Sequence, residues 1–265
     1  MPQVLTQQDG HVLTVTLNRP ARRNSLTSSA LSRLADIWQE AALDTSVRAI
    51  VLTGAEGSFC TGMDLRGLAG DADDEDAVAA AERAKTDPGF AYRGLLKTDR
   101  PTKPVIAAVE GHAIAGGMEL LLGTDIRVAG ESARFGLSEA RWALYPAGGG
   151  VVRLSRQIPY PVAADLMLTG RHIEAAEAKQ LGLIGHLVPD GTALETAREI
   201  AASVAANGPL AVEAIVRTLR HTTTMSEEDA FAFEQPDVAR IFGSDDAKEG
   251  PRAFAEKRPA VFHGR

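Results

Sequence analysis

The 265-residue chain holds a single cysteine, Cys60, which excludes an intramolecular disulfide framework and any multi-cysteine metal site within one chain. Aromatic residues are also few, at 5%. Apolar runs stay well short of the roughly 18 residues that a membrane span requires. Residues 1–10 carry neither a basic start nor a long apolar stretch, so no signal peptide is expected. Positive charge is in deficit, with 28 Lys and Arg against 35 Asp and Glu and a net charge of −7. A dedicated nucleic-acid binder needs a basic face, and this balance argues against one. It leaves room for a small anionic ligand held by a few local cations. The six histidines are scattered without metal-ligand spacing. His-Glu-x-x-His, a phosphate-binding Gly-Lys-Ser/Thr loop and a Gly-x-Ser-x-Gly elbow are all absent. The expectation is a cytoplasmic protein with no metal, no membrane and no nucleic-acid partner.

What remains is ordinary globular material, 45% hydrophobic and 24% charged, in one large domain or a domain with an appendage. Residues 11–17 alternate apolar and polar with β-branched enrichment and read as a strand that Asn18-Arg19-Pro20 stops. Leu31, Leu34, Ala35, Trp38, Ala41 and Ala42 repeat at helical spacing. They predict a helix over 28–43, capped by Thr27, Ser28 or Ser29. Residues 48–53 follow as a strand. Strand-like stretches recur at 103–109, 125–129 and 185–188, and short helices are predicted at 117–122, 150–157, 160–168 and 174–181. Helical patterns at 192–206, 209–221, 226–241 and 245–257 then succeed one another with no strand between. This predicts an α/β core over 1–195 and a helical region over 196–265. No period of about 20–50 residues repeats. The acidic run at 71–76 reads as a solvated connection.

The 25 glycines concentrate interest on two strand-to-helix turns. One holds Ser58, Phe59, Cys60, Thr61, Gly62, Met63, Asp64 and Leu65. The other runs from Gly111 through Gly116 and Gly117 to Glu119. Free N–H groups near such turns make an anion or oxyanion site; the alternative is two tight turns that need glycine for backbone reasons alone. Glu119 lies in an apolar helix and either faces a pocket or reaches solvent. Paired with Glu139 in a buried site, it would form a unit with one member ionised and one protonated, which adding water across a double bond requires. Cys60 invites a nucleophilic reading, but no histidine is near in sequence, and a small turn residue is the better assignment.

In order along the chain come Asn18-Arg19-Pro20, Asn24-Ser25-Leu26, the Phe59 to Leu65 turn and Lys103-Pro104-Val105 leading to Gly116-Gly117-Met118-Glu119. Phe135-Gly136-x-x-Glu139, Tyr145-Pro146, Leu168-Thr169-Gly170 and the closing Lys248 to Arg258 stretch follow. This set resembles the crotonase, or enoyl-CoA hydratase/isomerase, family over nearly the whole chain. The resemblance implies a spiral of ββα units with a C-terminal helical trimerisation region, assembled as a homotrimer or a dimer of trimers. It implies an acyl-CoA thioester as substrate, with no separate cofactor. The family's oxyanion-hole donors fall on the backbone N–H of Met63 and Gly116, and its hydratase carboxylates on Glu119 and Glu139. CoA contacts fall on Arg22, Arg23 and residues 58–65, and on Phe254 and Lys257 of a neighbouring subunit. Retention of both glutamates favours hydration; isomerisation of a 3-enoyl to a 2-enoyl thioester and non-catalytic acyl-CoA binding are the alternatives. The sequence departs from the family's hydratases at Ala147, where a glycine is usual, and at the bulky Trp142 and Tyr145, which either shape an acyl pocket or pack in the core. The 68–98 segment lies where the family builds that pocket. Residues 138–142 and 156–160 resemble an actinobacterial subgroup linked to steroid side-chain catabolism.

Overall fold

The computed structural model describes residues 2–65 and 77–265. The acidic run at 71–76 and the start of the 68–98 segment lie outside the described residues. Strand β1 (Val4–Asp9) pairs antiparallel with β2 (Val12–Leu17). Helix α1 (Ser28–Leu43) follows, with Thr27 Oγ1 accepting from the Ala30 N–H, so Thr27 is the cap. β3 (Ala49–Gly54), β4 (Val105–Val109), β6 (Ile126–Gly130) and β9 (His186–Val188) extend the sheet in parallel, giving the order β1-β2-β3-β4-β6-β9. A second sheet, β5-β7-β8, is made of β5 (His112–Ile114), β7 (Arg134–Gly136) and β8 (Ile173–Glu174).

The spiral follows from how each turn divides its residues. β4 enters the first sheet and β5 the second; β6 and β7 repeat the step. The 58–65 turn takes the same place one rung earlier, because Cys60 bridges Ala113 of β5 and Met63 bridges Leu26. The three short strands carry no readable period, and only long-range pairing reveals them. Helix α2 (Ala77–Thr86) and α3 (Phe90–Gly94) cover α1, so the described part of the 68–98 segment is helical rather than a loop.

The central strands are apolar on both faces, as a covered parallel sheet demands. Ile50, Leu52, Val105, Ala107 and Val109 face the larger core, which includes the fully buried Trp38 and Phe135. Ala49, Val51, Ile106, Ala108 and Val128 face α8 (Ala193–Ala205), which lays Ala193, Ala197, Ala201 and Ala205 against them. Between lie α4 (Gly116–Leu122), α5 (Gly150–Gln157), α6 (Tyr160–Thr169) and α7 (Ala175–Gln180). Glu110 Oε1 accepts from the N–H groups of Gly191 and Ala193 and so fastens the start of α8. Residue 195 falls inside α8, on the helix that closes the sheet. Helices α9 (Pro209–His221), α10 (Glu227–Phe242) and α11 (Asp246–Ala255) follow it.

Candidate active site

A cavity of about 550 Å³ opens between the two strand-to-helix turns, α3 and the 138–148 segment. Met63, Gly116, Glu119 and Glu139 all line it. The two turns meet at their backbones. A Cβ on Gly62 would stand 2.8 Å from Ala115 Cβ and 2.9 Å from the Gly116 nitrogen, and a Cβ on Gly116 would stand 3.5 Å from the Met63 nitrogen. Gly62 has φ +91°, and Ala115 has φ 52° and ψ −125°, a region that costs a residue with a side chain strain energy. That conformation turns the chain from β5 into α4 and leaves the Gly116 N–H at the head of the helix. Leu26 donates its N–H to the Gly62 carbonyl and accepts from the Asp64 N–H, so the Met63 N–H between them points the other way. Among the described residues neither the Met63 nor the Gly116 N–H has an acceptor in the protein. Two adjacent donors without acceptors on a cavity wall suit an oxyanion.

The support behind this turn was only partly visible in the sequence. Arg19 Nη2 pairs with Asp64 at 2.9 Å, and Arg19 Nη1 donates to the Ser25 carbonyl at 2.8 Å. The Asn24 side-chain amide donates to the Ala55 and Ser58 carbonyls at 2.9 and 2.6 Å. The Asn-Arg-Pro and Asn-Ser-Leu signals therefore mark residues that brace the 58–65 turn. Phe59 and Cys60 are fully buried and stay out of the cavity wall. Burial pushes the Cys60 thiol up to about 12, leaving it protonated and unreactive. Ser58 and Gly62 are also buried behind the wall, whereas Arg22, Thr61, Asp64 and Leu65 line it. Arg23 accepts a hydrogen bond from Thr61 Oγ1 through its carbonyl and lies outside the lining. Phe254 is 87% exposed, and neither it nor Lys257 reaches the cavity of its own chain.

Glu119 is 4% exposed and Glu139 8%. Glu119 Oε1 accepts from the Gly150 N–H at 2.9 Å. Burial pushes its pKa up to about 7, with the nearby Glu139 carboxylate adding to the rise; the N–H groups of Gly150 and Gly148 and the Lys97 ammonium oppose it. Burial also raises Glu139, whose Oε2 is buried with no hydrogen-bond partner among the described residues. Glu139 opens the short 3-10 turn Glu139–Trp142. The site thus holds one carboxylate fixed by the backbone and one with an unsatisfied oxygen.

Trp142 and Tyr145 are 66% and 70% exposed and line the cavity, so they shape its mouth and are not core residues. Tyr92, Leu95 and Leu144 join them as apolar lining that the sequence did not single out. Ala147 is exposed, and its carbonyl accepts from Lys97 Nζ at 2.7 Å. The backbone need for glycine lies one residue on. A Cβ on Gly148 would come within 2.6 Å of Glu119 Oε2 and 2.7 Å of Leu95 Cδ1. Gly148→Ala is expected to displace the Glu119 carboxylate and cut turnover by about a hundredfold with the fold retained, measured by steady-state kinetics beside circular dichroism.

The enoyl-CoA hydratase/isomerase family model matches residues 7–265, and the chain belongs to that family of enzymes. It is 53% identical to enoyl-CoA hydratase EchA19 of Mycobacterium tuberculosis, over all of this chain and 97% of the relative. It is 34% identical to the 2,3-dehydroadipyl-CoA hydratase of Escherichia coli over the full length of both. A crystal structure of an enoyl-CoA hydratase from M. tuberculosis superposes with a TM-score of 0.89 at 38% identity, covering all of both chains. The fold expected from the motifs, a crotonase-like α/β spiral followed by helices, is the fold observed.

Proposed function

We propose that this chain hydrates a trans-2-enoyl-CoA to a 3-hydroxyacyl-CoA. The observation that carries the reading is the convergence of two buried carboxylates, both with raised pKa, and two acceptor-free N–H groups on one cavity. The thioester oxygen accepts from the Met63 and Gly116 N–H groups, which stabilise the enolate as it forms. Glu119, ionised and held by Gly150, takes a proton from water while the water oxygen bonds to the β-carbon. Glu139 delivers a proton to the α-carbon. No metal or dissociable cofactor enters this scheme.

The names of the relatives support the thioester, and Arg22 at the cavity wall supplies a cation for its anionic end. The exposed Ile215, Phe231, Phe242 and Phe254 of the last helices support assembly as a homotrimer or a dimer of trimers. In that assembly Phe254 and Lys257 serve a neighbour's CoA. The substrate is a fatty or steroid side-chain thioester, and the location is cytoplasmic.

Turnover across enoyl-CoA thioesters from short-chain to steroid-sized, with product mass, tests the reading. Hydration adds the mass of one water. A product of unchanged mass from a 3-enoyl substrate would assign isomerisation instead.

A further inference from the structure

A second cavity, of about 1220 Å³, shares no lining residue with the catalytic cavity. It lies between the end of α4, β6, α5 and the end of α9. Six cations line it, Lys97, Arg100, Arg127, Arg153, Arg156 and Arg220, against two carboxylates, Asp99 and Asp125. This local surplus of four positive charges sits in a chain whose net charge is −7.

Among the described residues only Arg220 of the six is ion-paired, bidentate to Asp125. Arg127 is caged by the Leu183, Thr124 and Leu122 carbonyls and serves the fold. Arg100 donates to the Gly123 carbonyl at 3.1 Å, and Arg153 Nη2 donates to the Leu96 and Lys97 carbonyls. Arg153 Nη1 is buried and has no partner among the described residues. Arg156 is exposed at the rim with no carboxylate beside it. Arg100, Arg153 and Arg220 lie close enough to repel one another, and burial with that repulsion brings Arg100 down to about 10. Like charges gathered in a recess cost stability when the recess is empty, and an anion reverses the sign of that cost.

We propose that this cavity is an anion site for a polyphosphate group, of the kind carried by pyrophosphate or a nucleoside diphosphate. Guanidinium forks match phosphate oxygens in pairs, and Arg100 and Arg156 both line the cavity with donors that no carboxylate takes among the described residues. The volume exceeds what inorganic phosphate fills and suits a nucleotide-sized ligand. The site is separate from the hydratase reading and stands without it.

Isothermal titration of the full-length protein with inorganic pyrophosphate tests it, on wild type, Arg100→Gln, Arg156→Gln and the distant Arg33→Gln. The expected result is saturable binding with one site per chain, weakened about tenfold or more by the first two changes and unaltered by the third. Arg156→Gln removes no bond within the fold, so it remains informative if Arg100→Gln folds poorly. Enoyl-CoA turnover should be unchanged in Arg156→Gln. Absence of saturable binding, or equal affinity in all four proteins, overturns the proposal. So does a wild type indifferent to pyrophosphate whose mass in solution falls on Arg156→Gln, since the cluster then meets carboxylates of a second copy.

Discussion

Glu119→Gln is expected to lower enoyl-CoA turnover by about 10²–10⁴-fold and, at the same time, to raise the melting temperature above neutral pH. The kinetic half follows from the role of the carboxylate. A base must be ionised to accept a proton from water, and an amide cannot. The stability half follows from burial. Glu119 titrates near 7 in the folded chain against an ordinary 4.5, so the folded state holds a proton that the unfolded state has released. Its contribution to stability is complete below pH 4.5 and is lost as pH rises through about 7. Above that range the wild type keeps an ionised carboxylate in a dry pocket, which glutamine avoids while its Oε1 still accepts from Gly150. Melting curves at pH 5 and pH 8 beside kcat provide the check. A variant that keeps its turnover, or melts lower than wild type at both pH values, would show that the carboxylate serves the fold and not the reaction. The wild-type rate should also fall on the acid side of about pH 7, as Glu119 takes up its proton.

Gly62→Ala is the second large effect. A methyl at this position meets Ala115 Cβ at 2.8 Å and the Gly116 nitrogen at 2.9 Å, and the φ of +91° is strained for any side chain. The two turns must separate, and the Met63 and Gly116 N–H groups lose their common target. Loss of one oxyanion donor costs about 10²–10³ in kcat, so the variant should fall by at least that factor. Gly57→Ala supplies the control. Gly57 has φ +75° but nothing within 4 Å of a new Cβ, so it carries the strain without the collision. Both variants should lose stability, and only Gly62→Ala should lose the reaction. Equal activities in the two would separate the glycine at 62 from oxyanion stabilisation.

Much of this architecture is legible in the residues. The 28–43 helix announces itself through its apolar spacing and its threonine cap, and the strand read at 48–53, observed at 49–54, through a short apolar run. β5, β7 and β8 do not, because two or three residues cannot display a period and their pairing is set by distant rungs. The candidate site divides in the same way. Glu119 and Glu139 are visible as side chains, but their burial and their shared cavity are not, since helix spacing does not say which face is roofed. The oxyanion donors are main-chain atoms with no side-chain signature, so only the resemblance to a family locates them. Gly148 and Gly150 read as a loose glycine run until the structure sets them against the Glu119 carboxylate. The basic cavity leaves no trace in sequence, because its arginines are spread from 100 to 220 and assemble only when the spiral closes.

The alanine face of α8 gives the central sheet two unlike sides. On one, Leu, Ile and Trp side chains fill a deep layer, where trimming a residue opens a void. On the other, Ala193, Ala197, Ala201 and Ala205 lay a face of small side chains against the strands, where there is little room to add. The same strand therefore meets opposite rules at neighbouring positions: Ile50 and Leu52 tolerate no shrinkage, while Ala49 and its partners on α8 tolerate no growth.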